Sequence, residues 1–229
     1  MLHRSPRIGL RLAALVLLSV CATAGAADQV VIEDWSKYPL GTKGIPGDWK
    51  SQQWGSPKYD FIIVANNGQK ALHMRSANEG STISREVTGM VNLKETPVLE
   101  WSWKVTVLPT GANSCRKATD DQAAQIFIVW PRFPKEVRSR IVGYVWDTTA
   151  PVGTICKSEK TGTVTYVVVR SGPADLGKWF TERRNVADDF KKIYGEDPDA
   201  PGALSVAIDS NDTSSTSESF IGTILFRRP

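Results

Sequence analysis

Apolar and polar residues alternate with a period of two through most of this chain, in short runs that end at turn formers, and that rhythm belongs to strands rather than helices. Leu99, Trp101, Trp103 and Val105 alternate with Glu100, Ser102 and Lys104, which predicts a strand with one buried face. Ala124–Trp130 and Val164–Val169 are apolar on both faces, as in central strands covered from two sides. Phe61–Val64 and Ala71–Arg75 flank Asn66-Asn67-Gly68, a hairpin turn whose residues tolerate positive φ. Ala203–Ile208 and Phe220–Phe226 close the chain, joined by the polar stretch Asp209–Ser219.

One segment breaks the rhythm. Asn185 can cap a helix, Val186, Phe190 and Ile193 form one apolar stripe, Lys191 and Lys192 suit its carboxyl end, and Gly195 stops it. A lone helix over about 185–194 among many strands predicts an all-β class: a jelly-roll-like antiparallel β-sandwich with one short covering helix. No linker, low-complexity tract or internal repeat divides residues 27–229, so they are read as a single domain.

Residues 1–26 read as a secretory signal: Arg4, Arg7 and Arg11, then an apolar run from Leu12 to Val20, then small residues ending at Ala26. The run is too short to span a bilayer, and no later stretch is long and apolar enough, so no transmembrane segment is expected after cleavage. An exported chain is expected, periplasmic or secreted; a lipoprotein acylated at Cys21 is the rival. Without the three leader arginines, the 28 Lys and Arg fall to 25 against 24 Asp and Glu. That near-balance lacks the basic surplus of a nucleic-acid binder, and no nucleic-acid partner is expected. Loss of Cys21 leaves Cys115 and Cys156, an even pair in an oxidising compartment, which predicts a disulfide; two separate thiols are the alternative.

Only His73 remains once His3 leaves with the signal, which excludes most zinc sites and leaves a Ser-His-Asp triad a single candidate base. There is no phosphate-binding glycine loop or Cys-x-x-Cys pair, and no cofactor is expected. Carboxylates remain. Asp120, Asp121, Asp147 and Asp209 stand at the ends of expected strands, where a glycosidase pair or simple turn chemistry would place them. Asp209, Asn211 and Asp212 are close-spaced oxygen donors and form a calcium candidate, although without the spacing or glycine of an EF-hand.

Eight Trp, seven Phe and five Tyr are more aromatic surface than the core obviously needs, and aromatic faces stack on sugar rings. Trp101 and Trp103 lie on a buried face, whereas Trp49, Trp54 and Trp146 are stacking candidates. Arg184, beside Arg183 ahead of the helix, is a candidate clamp for an anionic group.

The segments Arg116–Ala124, Tyr144-Val145-Trp146, Arg184–Phe190 into Gly195-Glu196, and Ala207–Thr213 together resemble the bacterial exported family called domain of unknown function 3047. The likeness spans nearly all of residues 27–229, with Gln125 where that family often has a basic residue. A looser, fold-level likeness is to galactose-binding-type jelly rolls. The leading expectation is a non-catalytic envelope domain that binds a glycan or glycan-like ligand through Trp49, Trp54, Trp146, Asp120, Asp121, Arg184 and Asp209. The alternatives are a carbohydrate hydrolase or lyase using the strand-end carboxylates, and an envelope protein-interaction or assembly factor. Oligomeric state is not readable from the sequence.

Overall fold

The computed structural model describes residue 1, residues 28–66 and residues 68–229. The leader expected over residues 1–26 falls, Met1 aside, outside the described residues, as do Cys21 and the central Asn67 of the hairpin turn. In chain order the strands are β1 (Gln29–Glu33), β2 (Lys50–Ser51), β3 (Asp60–Asn66), β4 (Gln69–Ala77), β5 (Gly80–Glu86), β6 (Val98–Val107) and β7 (Ala124–Trp130). They continue as β8 (Arg140–Asp147), β9 (Ile155–Lys157), β10 (Val164–Ser171), β11 (Phe180–Asn185), β12 (Ala203–Asp209) and β13 (Thr216–Arg227). Two helices, α1 (Lys135–Arg138) and α2 (Val186–Tyr194), interrupt them.

The strands form two stacked sheets. One has the order β11-β6-β13-β4-β3, with β1 also pairing with β13; the other runs β2-β5-β12-β7-β8-β10-β9. Among the described strands every pairing is antiparallel except β8 with β10, which run parallel. The side chains that alternate inward, among them Leu99, Trp101, Trp103 and Val105 from β6 and Ile126 and Ile128 from β7, are buried in the core between the sheets. Trp101 stacks on Tyr144 across the layers at 5.3 Å, and Trp103 lies 6.0 Å from Trp146.

The helix forms where its caps predict. Asn185 Oδ1 accepts from the amides of Ala187 and Asp188, and Gly195 turns left-handed and returns its N–H to Lys191 O. Val186 and Phe190 anchor it in the core. The expected Cys115–Cys156 disulfide is present, with Cα atoms 5.7 Å apart. It ties the loop between β6 and β7 to the outer face of the seven-stranded sheet, over a second apolar cluster of Val145, Ala150, Val164, Tyr166 and Val168. Gly143 is required there, because a Cβ would sit 2.7 Å from the Phe127 ring that crosses it.

Candidate functional site

The outer faces of the two sheets differ. On the six-stranded sheet, strand register lines up Ile62, His73, Phe220 and Lys104 in one row across β3, β4, β13 and β6. The His73 and Phe220 rings stack with centroids 4.2 Å apart, and Lys104 Nζ lies 4.0 Å from the centre of the Phe220 ring. One row further, Arg75 grips Asp60 with two bonds of 2.9 and 3.0 Å. Beside it Glu218 lies 2.7 Å from His73 Nε2 and accepts from the Thr106 hydroxyl at 2.7 Å. Burial pushes the Glu218 carboxyl up, but the bonds from Thr106 and His73 outweigh it and hold the carboxyl below its usual range. Burial also pulls the Lys104 ammonium down, against the charge of Glu218. These polar groups continue into an open cleft of about 550 Å³ lined by Lys58, Asp60, Arg75, Thr216 and Glu218.

Trp179 completes this face. It immediately precedes β11 and folds over Gly222, where β13 shifts register between Ile221 and Ile224. A Cβ on Gly222 would lie 2.2 Å from Ser102 Oγ and 3.3 Å from the Trp179 ring, so any side chain there collides with Ser102 and presses on the indole. From the core side, Trp35 Nε1 donates to Gly222 O at 2.9 Å. The Trp179 indole N–H reaches Asn66 Oδ1 at 2.9 Å, spanning the sheet, and the ring stays partly exposed with Phe220 6.4 Å away and Lys104 Nζ 5.6 Å from its centre. An indole pinned at its polar edge and partly exposed can serve as a stacking platform, flanked by donors and acceptors for hydroxyl groups.

The seven-stranded sheet instead gathers carboxylates at one end of its outer face. Asp209 Oδ1 accepts from the Gln122 amide and from Gln125 Nε2, and Asp120 accepts from Gln122 Nε2 and the Ser158 hydroxyl. Asp121, fully buried, takes the amides of Asp212 and Thr213 and the Thr213 hydroxyl. Burial, then the charges of Asp121 and Asp120, push the Asp209 carboxyl well above its ordinary range; burial also raises Asp120. Tyr166 beside them is raised by burial and by the charges of Asp120 and Asp209.

A family model described as a protein of unknown function, DUF3047, matches residues 47–225. The chain belongs to that family. Among curated proteins none matches. Solved structures similar to this DUF3047 chain include a family 11 carbohydrate-binding module from Clostridium thermocellum in complex with a mixed-linked tetrasaccharide, at 9% identity over 89% of this chain and 97% of that one, with a TM-score of 0.45. A family 30 carbohydrate-binding module from the same organism shares 12% identity over 87% and 97% of the two chains, with a TM-score of 0.46. A xylan-binding domain from Paenibacillus barcinonensis shares 13% over 89% and 97%, with a TM-score of 0.39.

Several of the expected site residues of this DUF3047 domain lie elsewhere than on an open surface. Trp49 is 4% exposed, stacked 5.6 Å from Trp35, with its indole N–H on the buried Glu33, so it is a core residue rather than a stacking surface. Trp146 is fully buried between Trp103 and Phe180, because its strand alternates inward at that position. The aromatic surplus is therefore mostly core: of eight tryptophans only Trp54, 66% exposed near the edge strand β2, and Trp179 reach solvent. Arg184 is committed to Asp189 in a two-bond pair on which the Tyr144 hydroxyl also converges, so it braces α2 rather than clamping a ligand. Asp120, Asp121 and Asp209 do come together, while Asp147 holds the amides of Ser114, Thr149 and Ala150. Asp212 pairs with Lys160 and also accepts from Asn211, and among the described residues no three His, Cys, Asp or Glu side chains gather as a metal ion would need. Trp179, Phe220 and Lys104 were not among the expected site residues; the alternation of Ser102 and Lys104 with buried residues is the one available signal for this face.

Proposed function

We propose that this protein is an exported, non-catalytic domain that binds a glycan on the outer face of its six-stranded sheet. The observation that carries the proposal is the Trp179 platform, fixed by Asn66 and Gly222 beside the His73–Phe220–Lys104 row and the polar groups Arg75, Asp60 and Glu218. The ring supplies a flat apolar surface for the C–H face of a sugar, and the neighbours supply directed partners for its hydroxyls. Export rests on the leader pattern, and the disulfide suits an oxidising compartment.

Titration of the chain from residue 27 onward against a panel of neutral polysaccharides, read by calorimetry and tryptophan fluorescence, tests the proposal. At least one member binds with an emission shift, and Trp179→Ala weakens that binding about 30-fold, the equivalent of roughly 2 kcal/mol of stacked area. Silence across the panel, or undiminished binding by Trp179→Ala, overturns it.

A further inference from the structure

At the edge of the sandwich remote in function from the Trp179 platform, the loop between β7 and β8 presents an apolar tip ringed by cations. Phe133 is 86% exposed and Val137 73%, in a segment that also carries Arg132, Lys135 and Arg138 against the single acid Glu136. Burial of neither side chain is achieved by the described residues, although both are large and apolar. Val137 and Arg138 lead directly into an open cleft of about 500 Å³ between this loop, the β9–β10 edge and the end of α2. Arg138, Arg140, Lys157 and Lys192 line the cleft, with the hydroxyls of Ser139, Thr163, Thr165 and Tyr194, and among the described residues no carboxylate lines it.

The local acids neutralise only part of this charge. Glu196 takes Arg132 and Arg140, and Asp197 takes Lys191. Among the described residues no carboxylate pairs with Lys135, Arg138, Lys157 or Lys192. Arg140 is further held over the rings of Phe190 and Tyr194, which fixes it at the wall of the cleft.

We infer that this corner docks on an anionic lipid surface, Phe133 and Val137 entering the boundary between headgroups and acyl chains while the cleft receives a phosphate-bearing headgroup. Exposed apolar side chains gain by leaving water only if the neighbouring cations stay at headgroup level, and the loop places both kinds of group side by side. An acidic polysaccharide would use the cations and hydroxyls of the cleft but would give the exposed Phe133 and Val137 no partner. Charge complementarity together with that uncovered tip favours the lipid.

Co-sedimentation with phosphatidylcholine vesicles, with and without phosphatidylglycerol, tests the inference on residues 27–229, which contain every described strand and helix. The chain binds the anionic vesicles, binds the neutral ones far more weakly, and loses affinity as salt rises. Lys157→Ala/Lys192→Ala weakens binding about 25-fold, at roughly one factor of five for each cation removed, and Phe133→Ser about tenfold, with circular dichroism unchanged in both. Trp179→Ala leaves vesicle binding intact, which separates this outcome from the fate of the glycan proposal. Absence of binding to anionic vesicles overturns the inference, as does binding that survives both cleft and tip substitutions. Binding of soluble polygalacturonate through Lys157 and Lys192 without vesicle binding overturns it in favour of an acidic polysaccharide.

Discussion

The outer faces of the two sheets are made from the same kinds of strand, yet one is open and the other is closed by its own chain. Over the seven-stranded sheet, the loop after β6 is held down by the Cys115–Cys156 bridge and by Asp147, whose carboxylate takes the Ser114 amide and hydroxyl. Its carboxylates then face inward: the bonds of Asp121 join the loop before β7 to the one after β12. On the six-stranded sheet Trp179 reaches across to Asn66, with Arg75 exposed and Glu218 and Lys104 partly exposed beside it. Both clusters are bonded within themselves, but Asp120, Asp121 and Asp147 are buried in the bonds they make, whereas the Arg75–Asp60 pair is exposed and the Glu218–His73 pair partly so. Exposure, not clustering, separates a surface that can exchange partners with a ligand from one that cannot.

The largest difference between the two faces is expected at the disulfide. Replacing Cys115 and Cys156 by alanine opens a loop with a sequence separation of 41 residues, and the chain-entropy argument gives a loss of about 3–4 kcal/mol. Urea unfolding measures it, and the glycan affinity of the remaining folded protein is unchanged if the two faces are independent. Asp121→Ala removes the acceptor for two amides and a hydroxyl, and costs about 3 kcal/mol by the same assay without affecting glycan binding. A stable Asp121→Ala protein that lost glycan binding would falsify the assignment of binding to the opposite sheet.

Gly222→Ala displaces the Trp179 indole and weakens glycan binding about tenfold, an effect seen also as a red-shifted, more quenchable tryptophan emission. The remaining contrast lies in pH. Asp209 titrates above its unfolded value, so between the ordinary carboxylate range and that raised value the unfolded chain has released a proton that the folded chain retains; stability falls as pH rises through this window. Asp209→Asn removes that fall and leaves both bonds from Gln122 and Gln125 possible. Glu218 titrates below its unfolded value, so its contribution is present above the ordinary carboxylate range and is lost as pH falls through the lowered value. Glu218→Gln flattens the acid limb, the smallest of these effects because the group is partly exposed. Urea midpoints measured from pH 3 to pH 8 for both variants read the two opposite slopes.

Alternation, turn residues and helix caps made the strands at 61–64, 99–105, 124–130 and 203–208 and the helix after Asn185 legible, because each depends on neighbours a few positions away. β5 and β11 were not read as strands. Ser, Thr, Glu and Arg dominate them, and their pairing with β12 and β6 supplies the order that their own side chains do not announce. The parallel pairing of β8 with β10 is likewise a property of the connection, not of either strand.

Local pattern was enough for the layered all-β architecture, the cystine and the capped helix, each of which was legible in the chain. Only the tertiary structure decided which aromatic rings face solvent. Trp146 and Trp179 look alike in a one-dimensional chain, but a sheet covers the first and a register shift at Gly222 seats the second on an open face. Exposure depends on which layer lies across a side chain, and that layer comes from strands far away in sequence.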